Sequence, residues 1–199
     1  MREAVRLHQD NAPSPFSALV LVSGAPGSGK TTLAHLLSQE LGLPLCSRDR
    51  LKEILLDELG ALDRAASRAI GRASYALLFE VVGSLLDRSV GVIVESNFRR
   101  GLSETDLRPL VGRAHAVLLH CQTSPDETVR RYLRRATLGE RHAGHFDEEA
   151  VADLVRDLKA GNYEPLDLDL PALVIDTTDG YSPDLDRIGR FVSRLGRPE

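Results

Sequence analysis

The sequence predicts an α/β fold, a three-layer sandwich in which a five-stranded, mostly parallel sheet lies between two layers of helices. Short apolar runs, typical of strands buried on both faces, recur along the chain. Stretches with apolar residues at helical spacing separate these runs, and this alternation favours parallel strands joined by right-handed crossovers. The length of 199 residues suits one domain with a sizeable core, and no internal repeat suggests another architecture.

Five apolar runs are the predicted strands, and a turn signal or a polar residue follows each of them. They cover residues 18–22, 43–46, 91–95, 115–121 and 172–176. The third run is apolar up to a terminal acid, Glu95, as expected of a central parallel strand whose end opens on a site.

The helices between the strands are predicted from apolar spacing and from start and stop signals. They cover residues 31–42, 49–59 and 63–88, a short segment around 107–110, a helix from 124, one that runs to about 159, and a closing helix from 182 to 195. Gly42 and Gly60 end the first two helices. The run Ser124-Pro125-Asp126-Glu127 combines an N-cap, a proline at the first helical position and acids in the first turn.

The segment after the first strand carries the strongest motif in the chain. It reads Gly24-Ala25-Pro26-Gly27-Ser28-Gly29-Lys30-Thr31-Thr32 and matches G-x-x-x-x-G-K-[ST]. Its three glycines can take positive φ, which lets the backbone amides of the loop and of the following helix converge on a phosphate. The alternative is a glycine-rich turn without a ligand. The agreement of strand, loop and helix instead favours the fold of P-loop NTPases, with these nine residues binding the nucleotide.

Two side chains of this loop have predicted roles toward a triphosphate. Lys30 would reach the β- and γ-phosphates as a mobile positive charge. The Thr31 hydroxyl would ligate Mg²⁺. We therefore expect ATP and Mg²⁺ as cofactors.

Composition limits the classes of partner and the location. The net charge of -4 and the pI near 5.9 provide no overall basic surface for a nucleic acid. Cys46 and Cys121 lack metal or disulfide spacing and suit free thiols in a reducing compartment. No segment approaches the apolar length needed to span a membrane, and residues 1–15 lack the apolar core of a secretory signal, so we expect a cytoplasmic protein. Residues 1–15 are predicted as a flexible extension and residues 16–199 as one domain.

Polar residues follow the second and third strands, next to the glycine loop in the predicted sheet. Asp49 comes after the second strand, and Glu95-Ser96-Asn97 follow the third. Ligands of open parallel sheets bind at the carboxyl ends of the strands, so these residues should lie close together. Glu95 and Asn97 are predicted to bind the substrate, although a strand-end cap and a turn residue are the alternative.

At this point the chain resembles the small P-loop kinases, which include polynucleotide 5'-hydroxyl kinase, chloramphenicol phosphotransferase and the zeta-toxin-like kinases. The resemblance covers most of the chain from residue 17 onward. It rests on the glycine loop and on three further segments, Ser47-Arg48-Asp49-Arg50, Val94-Glu95-Ser96-Asn97-Phe98 and the arginine-rich stretch 130–141. It implies that Asp49 acts as base on the acceptor hydroxyl and that lid arginines clamp the phosphates. Glu95 stands where relatives often carry an aspartate, which leaves its role open between Mg²⁺ and acceptor binding.

Asp49 suits this chemistry on physical grounds as well. A carboxylate at the acceptor can orient the hydroxyl and take its proton while charge on the moving phosphoryl group is neutralised by Lys30, Mg²⁺ and arginines. The neighbouring Arg50 is predicted to bind the substrate with it. The alternative for Asp49 is a plain helix N-cap, and the two roles are compatible.

The arginine-rich helix and the loop after it are predicted to form an arginine-bearing lid, at about residues 137–147. Arg130 and Arg134 share one helix face and Arg131 and Arg135 the adjacent one, so at most one pair can point into the cleft. We assign Arg134 to the nucleotide.

Arg141, in the glycine-flanked stretch 139–144, is predicted as a catalytic lid residue, because a mobile loop can close over phosphates. His142 and His145 lack a third metal ligand close by in the sequence and are expected to make lid or acceptor contacts.

Three classes of function remain open at this stage. The first is an ATP-dependent phosphotransferase that acts on a hydroxyl of a small molecule. The second is a polynucleotide 5'-hydroxyl kinase, which the acidic balance disfavours without excluding nucleic acid. The third is a nucleotide-dependent switch or regulatory protein, which should carry a base-reading N-K-x-D motif that this sequence lacks. The acceptor, the choice between ATP and GTP, and the oligomeric state are left open.

Overall fold

A computed structural model describes residues 18–61, 63–138, 142–145 and 147–193 of the chain. Its five strands form a single sheet in the order β2-β3-β1-β4-β5, and every neighbouring pair is parallel. The strands are β1 Ala18–Ser23, β2 Leu45–Ser47, β3 Val92–Glu95, β4 His115–Gln122 and β5 Ala172–Asp176. The predicted α/β fold and its five strands are confirmed, with ends that shift by up to two residues.

The helices of the described residues alternate with these strands. They are α1 Lys30–Leu41, α2 Arg48–Leu59, α3 Arg64–Leu86, α4 Glu104–Val111, α5 Pro125–Thr137, α6 Asp147–Lys159 and α7 Leu185–Ser193, with a 3-10 turn at Ala143–His145 before α6. Gly42 and Gly60 follow α1 and α2 with positive φ, as predicted. Ser124 caps α5 by accepting a hydrogen bond from the amide of Glu127.

The closing helix begins later than predicted. Ser182 pairs with Asp176 through two backbone hydrogen bonds of 2.8 and 2.9 Å, so the chain turns back after β5 and forms an antiparallel bridge with its last residue. The helix therefore starts at Leu185. The predicted end near residue 195 lies outside the described residues.

The core lies on both faces of the sheet because alternate residues of β1 point in opposite directions. Leu19 and Leu21 pack with α3 and α4 on one face. Val20 and Val22 pack with α1 and α7 on the other. All four side chains are fully buried. A strand buried on both faces explains the continuous apolar run that the sequence shows there.

Helix α3 corrects one sequence expectation. Its 23 residues, with a mean hydropathy of 1.4 over the most apolar window, are long and apolar enough to cross a membrane by length and composition. The expectation that no segment approaches such a length was wrong. In this fold α3 is a core helix, since its Leu78 and Val82 are fully buried against the sheet. The predicted extension at residues 1–15 lies outside the described residues, and the single-domain boundary at residue 16 stays a prediction.

Candidate active site

The glycine loop has the backbone that its sequence predicts. Gly24, Gly27 and Gly29 have φ values of 144°, 94° and 81°. A Cβ at Gly24 would lie 2.2 Å from the Cys121 carbonyl oxygen, and one at Gly27 would lie 2.7 Å from that of Thr128. The loop can press against the end of β4 and against α5 only because these two residues have no side chain.

The end of β5 holds the loop from the other side. The Thr177 hydroxyl donates a hydrogen bond of 2.7 Å to the carbonyl of Ser28, and the Thr177 amide bonds to the carbonyl of Gln122 at 2.9 Å. Thr177 is buried. Sequence reasoning missed this contact, because only the folded sheet brings residues so distant in sequence together.

Helix α1 starts inside the loop, at Lys30, without a side-chain cap. The N-cap position is Gly29, which has no side chain to accept from the first amides, and this suits an anion at the helix N-terminus. The Lys30 ammonium is buried, donates to the carbonyl of Ala25 at 3.4 Å and lies 3.8 Å from a Glu95 oxygen. Thr32 follows on the exposed side of the helix.

Glu95 lies beside Thr31, the residue predicted to ligate Mg²⁺. Its carboxylate is 1% exposed and accepts hydrogen bonds from the hydroxyls of Thr31 at 3.1 Å and Ser47 at 2.6 Å. Burying a carboxylate is costly, and here two hydroxyls and the Lys30 ammonium compensate for the lost water. The Thr31 hydroxyl and the Glu95 carboxylate are oxygen donors of the kind that Mg²⁺ prefers, so these two residues fit the predicted metal. Ser47 is a site residue that sequence reasoning missed; the parallel register pairs it with Glu95.

Asp49 occupies the second position of α2, after Arg48, and the N-cap of this helix is Ser47. The interpretation of Asp49 as the cap was therefore wrong. The Asp49 side chain is 30% exposed and accepts a hydrogen bond of 2.9 Å from Arg48 Nη1. Asp49, Arg48, Asn97 and Pro26 of the glycine loop line a common cavity of about 170 Å³. A carboxylate therefore faces the space next to the phosphate loop.

We call this space the acceptor cavity, after the ligand that the sequence predicts beside Asp49. Its remaining walls come from the second half of the chain. They are Tyr132 of α5, His145, the α6 residues Ala150, Asp153, Leu154 and Asp157, and Tyr163. Asp157 bonds to Arg99 at 2.8 Å, which ties α6 to the segment after β3.

Asn97 and Arg50 have different environments. Asn97 lines the acceptor cavity and bonds to the hydroxyl oxygen of Tyr163, whose pKa is raised by burial. The Asn97 Oδ1 atom is buried and has no hydrogen-bond partner within the described part of the chain. Arg50 is exposed and does not line the cavity, whereas Arg48 does. Helix phase decides this, because Arg48 and Arg50 point about 200° apart on α2.

Among the arginines of α5, Arg131 lies against the residues that hold the loop. Its guanidinium donates to the carbonyls of Thr177 at 3.0 Å and Thr178 at 2.8 Å, and it pairs with Glu127. Hydrogen bonds from Arg130 and Arg131 lower the pKa of Glu127 to about 2. Arg134, which we assigned to the nucleotide, is exposed and does not line the acceptor cavity. The structure thus brings Arg131 to the loop and leaves Arg134 on the surface.

Residues 142–145 of the predicted lid rest on the helix that carries Asp49. His142 lies 3.1 Å from Asp57 and His145 lies 3.5 Å from Glu53, both carboxylates of α2. The carbonyl of Gly144 accepts a 2.6 Å hydrogen bond from the Ser67 hydroxyl of α3. These contacts join residues 142–145 to α2 and α3, and the roles expected of the two histidines toward the lid or the acceptor stay predictions. Arg141 lies outside the described residues.

Comparisons with known proteins agree with this geometry. A family model described as an AAA domain matches residues 19–160, which include the glycine loop, the ends of β2 and β3, and all of α5 and α6. A crystal structure from Chloroflexus aurantiacus, of a protein provisionally described as a kinase, is 36% identical. The match covers 90% of this chain and 98% of that chain, with a TM-score of 0.81.

Two more distant structures share the fold alone. A sugar kinase from Janibacter sp. is 19% identical, with 92% of this chain and 99% of that chain covered and a TM-score of 0.56. A gluconokinase from Sinorhizobium meliloti is 14% identical, with 90% and 93% covered and a TM-score of 0.52. No curated protein sequence matches the chain. The match over most of the chain, together with the site geometry, leads to one conclusion: this protein belongs to the AAA domain family and is a member of the small P-loop kinases.

Proposed function

We propose that this protein is an ATP-dependent kinase that transfers the γ-phosphoryl group to a hydroxyl of a small molecule. The observation that carries the proposal is the position of Asp49. Its carboxylate opens into the acceptor cavity, and the tip of the phosphate loop, Pro26, is another wall of that cavity. A carboxylate beside a phosphate loop is what phosphoryl transfer to a hydroxyl requires.

The residues that would act on the phosphates and on Mg²⁺ are Lys30, Thr31 and Glu95. Lys30 moves from the Ala25 carbonyl to the β- and γ-phosphates, while the loop amides bind the β-phosphate oxygens. Thr31 would hold Mg²⁺, with Glu95 behind it, and the bound ion supplies positive charge to the phosphate oxygens. We therefore assign Glu95 to Mg²⁺ binding rather than to binding of the acceptor.

The acceptor side belongs to Asp49, with Asn97 and Arg48 lining the same cavity. The acceptor oxygen attacks the γ-phosphorus, the bond from that phosphorus to the β–γ bridging oxygen breaks, and ADP leaves. The proton of the hydroxyl passes to the Asp49 carboxylate, which must be ionised beforehand. The adjacent Arg48 guanidinium, 2.9 Å away, favours that ionised form.

The lid would add a further positive charge next to the phosphates of the nucleotide. Arg141 remains our candidate for the arginine that contacts the γ-phosphate when the segment from 137 to 147 closes. Arg134 keeps a possible contact with the nucleotide only if that closure moves α5, since its side chain faces solvent here. Lid closure would also exclude water from the acceptor cavity, which limits wasteful hydrolysis of ATP.

A small acceptor is favoured over a nucleic acid end. The acceptor cavity has a volume of about 170 Å³ and is closed on one side by α6, whose Asp153 and Asp157 are acidic walls. The chain as a whole carries a net charge of -4. A polynucleotide strand needs an extended basic groove, which these features do not supply. We keep the cytoplasm as the proposed location, because the reaction consumes ATP.

ADP release measured in three conditions tests the proposal. The protein is incubated with Mg-ATP alone, with oligonucleotides that carry 5'-hydroxyl ends, and with a panel of sugars, polyols, sugar acids and amino alcohols. We expect one member of the panel to raise ADP release and to be recovered as its phosphate ester, and Asp49→Asn to abolish this stimulation. Stimulation by oligonucleotide ends alone would establish the polynucleotide kinase instead. ATP binding without stimulation by any compound would favour the regulatory class.

A further inference from the structure

Three contacts, one within α2 and two with α3, hold the guanidinium of Arg48. Its Nη1 donates to Asp49 at 2.9 Å, and its Nη2 donates to the carbonyl of Gly71 on α3 at 3.3 Å. Its central carbon lies 4.8 Å from the ring centroid of Tyr75, in the geometry of a cation–π contact. The side chain is only 14% exposed. Arg48 is therefore held in one position while it contacts Asp49.

Gly71 makes the room for this guanidinium. It lies in the interior of α3, where alanine would be the better helix former. A Cβ at Gly71 would lie 2.7 Å from Arg48 Nη2, and its next contacts, to Arg48 Cζ and to Lys52, would be at an ordinary 3.9 Å. The close contact is with the end of a flexible side chain, so a substitution here would displace Arg48 and leave the helix intact.

The Tyr75 ring, which contacts Arg48, is itself held in place by its neighbours. Its ring stacks on Phe79 at a centroid distance of 5.8 Å and lies 6.3 Å from the ring of Phe98. Its hydroxyl bonds to Ser96 at 2.9 Å, one residue after Glu95. The ring that supports the Arg48 guanidinium is thus anchored in the core and at the end of β3.

The other charged groups that line the acceptor cavity cannot take the role of Arg48 toward Asp49. Asp153 and Asp157 of α6 are acids, and they would oppose the charge of Asp49 rather than stabilise it. Asp157 is engaged by Arg99, and Asp153 by Arg64 and Arg156. His145 also lines the cavity and lies by Glu53. Arg48 is the arginine that lines this cavity among the described residues.

We propose that Arg48 is a positioning residue, which orients the Asp49 carboxylate toward the acceptor and keeps it ionised, and that Gly71 and Tyr75 hold Arg48 in place. This inference rests on the proposed function, in which Asp49 accepts the proton of the acceptor. It assigns a role to a glycine and a tyrosine on α3 that lie more than twenty residues from Asp49 in sequence.

The test compares Gly71→Ala with Gly83→Ala, a matched substitution in the same helix. A Cβ at Gly83 would lie no closer than 3.4 Å to any neighbour, at the end of the exposed Arg113 side chain. The pKa of Asp49 is followed by ¹³C NMR of the carboxyl carbon, with the signal assigned by its loss in Asp49→Asn. We expect Gly71→Ala to raise this pKa by about one unit, in line with the effect of a neighbouring cation. Gly83→Ala should leave it unchanged.

The catalytic readout uses the acceptor identified by the ADP assay. Gly71→Ala should lower kcat about tenfold and leave the KM for ATP unchanged, because the nucleotide contacts are intact. An unchanged Asp49 pKa in Gly71→Ala would overturn the inference, and so would loss of kcat that Gly83→Ala shares. The NMR measurement needs no acceptor, so the inference can fail or hold independently of the proposed function, which fails if Asp49→Asn keeps its turnover.

A second pair of variants covers the case in which Gly71→Ala does not fold. Tyr75→Phe keeps the ring under Arg48 and removes the bond to Ser96, whereas Tyr75→Leu removes the ring itself. We expect Tyr75→Phe to resemble the wild type in kcat and in the pKa of Asp49, and Tyr75→Leu to resemble Gly71→Ala. Equal behaviour of the two tyrosine variants would show that the ring does not hold Arg48.

Discussion

Replacing Glu95 by glutamine tests whether this buried acid serves Mg²⁺ or the acceptor. The change keeps the shape of the side chain and an oxygen that can accept from Thr31 or Ser47. It removes the negative charge that lies 3.8 Å from the Lys30 ammonium. At an effective dielectric constant of about 20, this separation corresponds to an attraction of about 4 kcal/mol.

The net effect on stability should be of the same order as this attraction. Glutamine removes the cost of burying the carboxylate, but the Lys30 ammonium stays buried and loses the negative charge that compensates it. We therefore expect the free energy of unfolding to fall by roughly 3 kcal/mol or more. A separate effect should appear when Mg²⁺ binds, because loss of a supporting carboxylate lowers metal affinity by about ten- to a hundredfold.

Calorimetric titration with ATP, with and without Mg²⁺, separates these contributions. Glu95→Gln should weaken the binding of Mg-ATP about tenfold or more and leave the binding of metal-free ATP unchanged or stronger. Glu104→Gln is the control, because Glu104 is equally buried but lies on α4, where it accepts a hydrogen bond from the amide of Asp167. An unchanged affinity for Mg-ATP, with a raised KM for the acceptor, would refute our assignment and return Glu95 to the acceptor side.

Three further predictions follow from the same geometry. Asp49→Asn should abolish turnover and leave the Kd for ATP nearly unchanged, because Asp49 faces the acceptor cavity; turnover close to wild type would remove it as the base. Arg141→Ala should lower kcat more than it weakens ATP binding, as measured by steady-state kinetics and titration, and an unchanged kcat would remove Arg141 from the lid. His120 predicts a pH dependence of stability, because burial lowers its pKa from 6.5 to about 4. The unfolded chain takes up a proton near pH 6.5 and the folded protein only near pH 4, so stability is complete above pH 6.5 and falls by roughly 3 kcal/mol toward pH 4. Urea unfolding at several pH values should show this loss, and His120→Gln should reduce it; an equal loss in the variant would assign the pH dependence to other groups.

The local sequence was sufficient to predict the fold and the position of the site. Continuous apolar runs predicted all five strands. The central strands β3, β1 and β4 must be apolar on both faces, whereas β2 and β5 are edge strands and are only partly buried. The spacing of Gly24, Gly27 and Gly29 predicted their positive φ, because the loop conformation depends on residues that are neighbours in the chain. The parallel sheet then placed Asp49 and Glu95 at the same edge, as expected for strand ends that meet there.

Only the tertiary structure decided how the polar side chains divide between the two sides of the site. Glu95 meets Ser47 because the register of β2 and β3 pairs these residues, and it meets Thr31 because α1 begins just beyond the end of the neighbouring strand β1. Helix phase puts Arg48 and Arg50 on opposite sides of α2, and the packing of Arg48 on Tyr75 and Gly71 of α3 sets which side meets the acceptor cavity. Such choices depend on contacts between residues far apart in the chain, and a periodic pattern records which residues are buried but not which partners they meet.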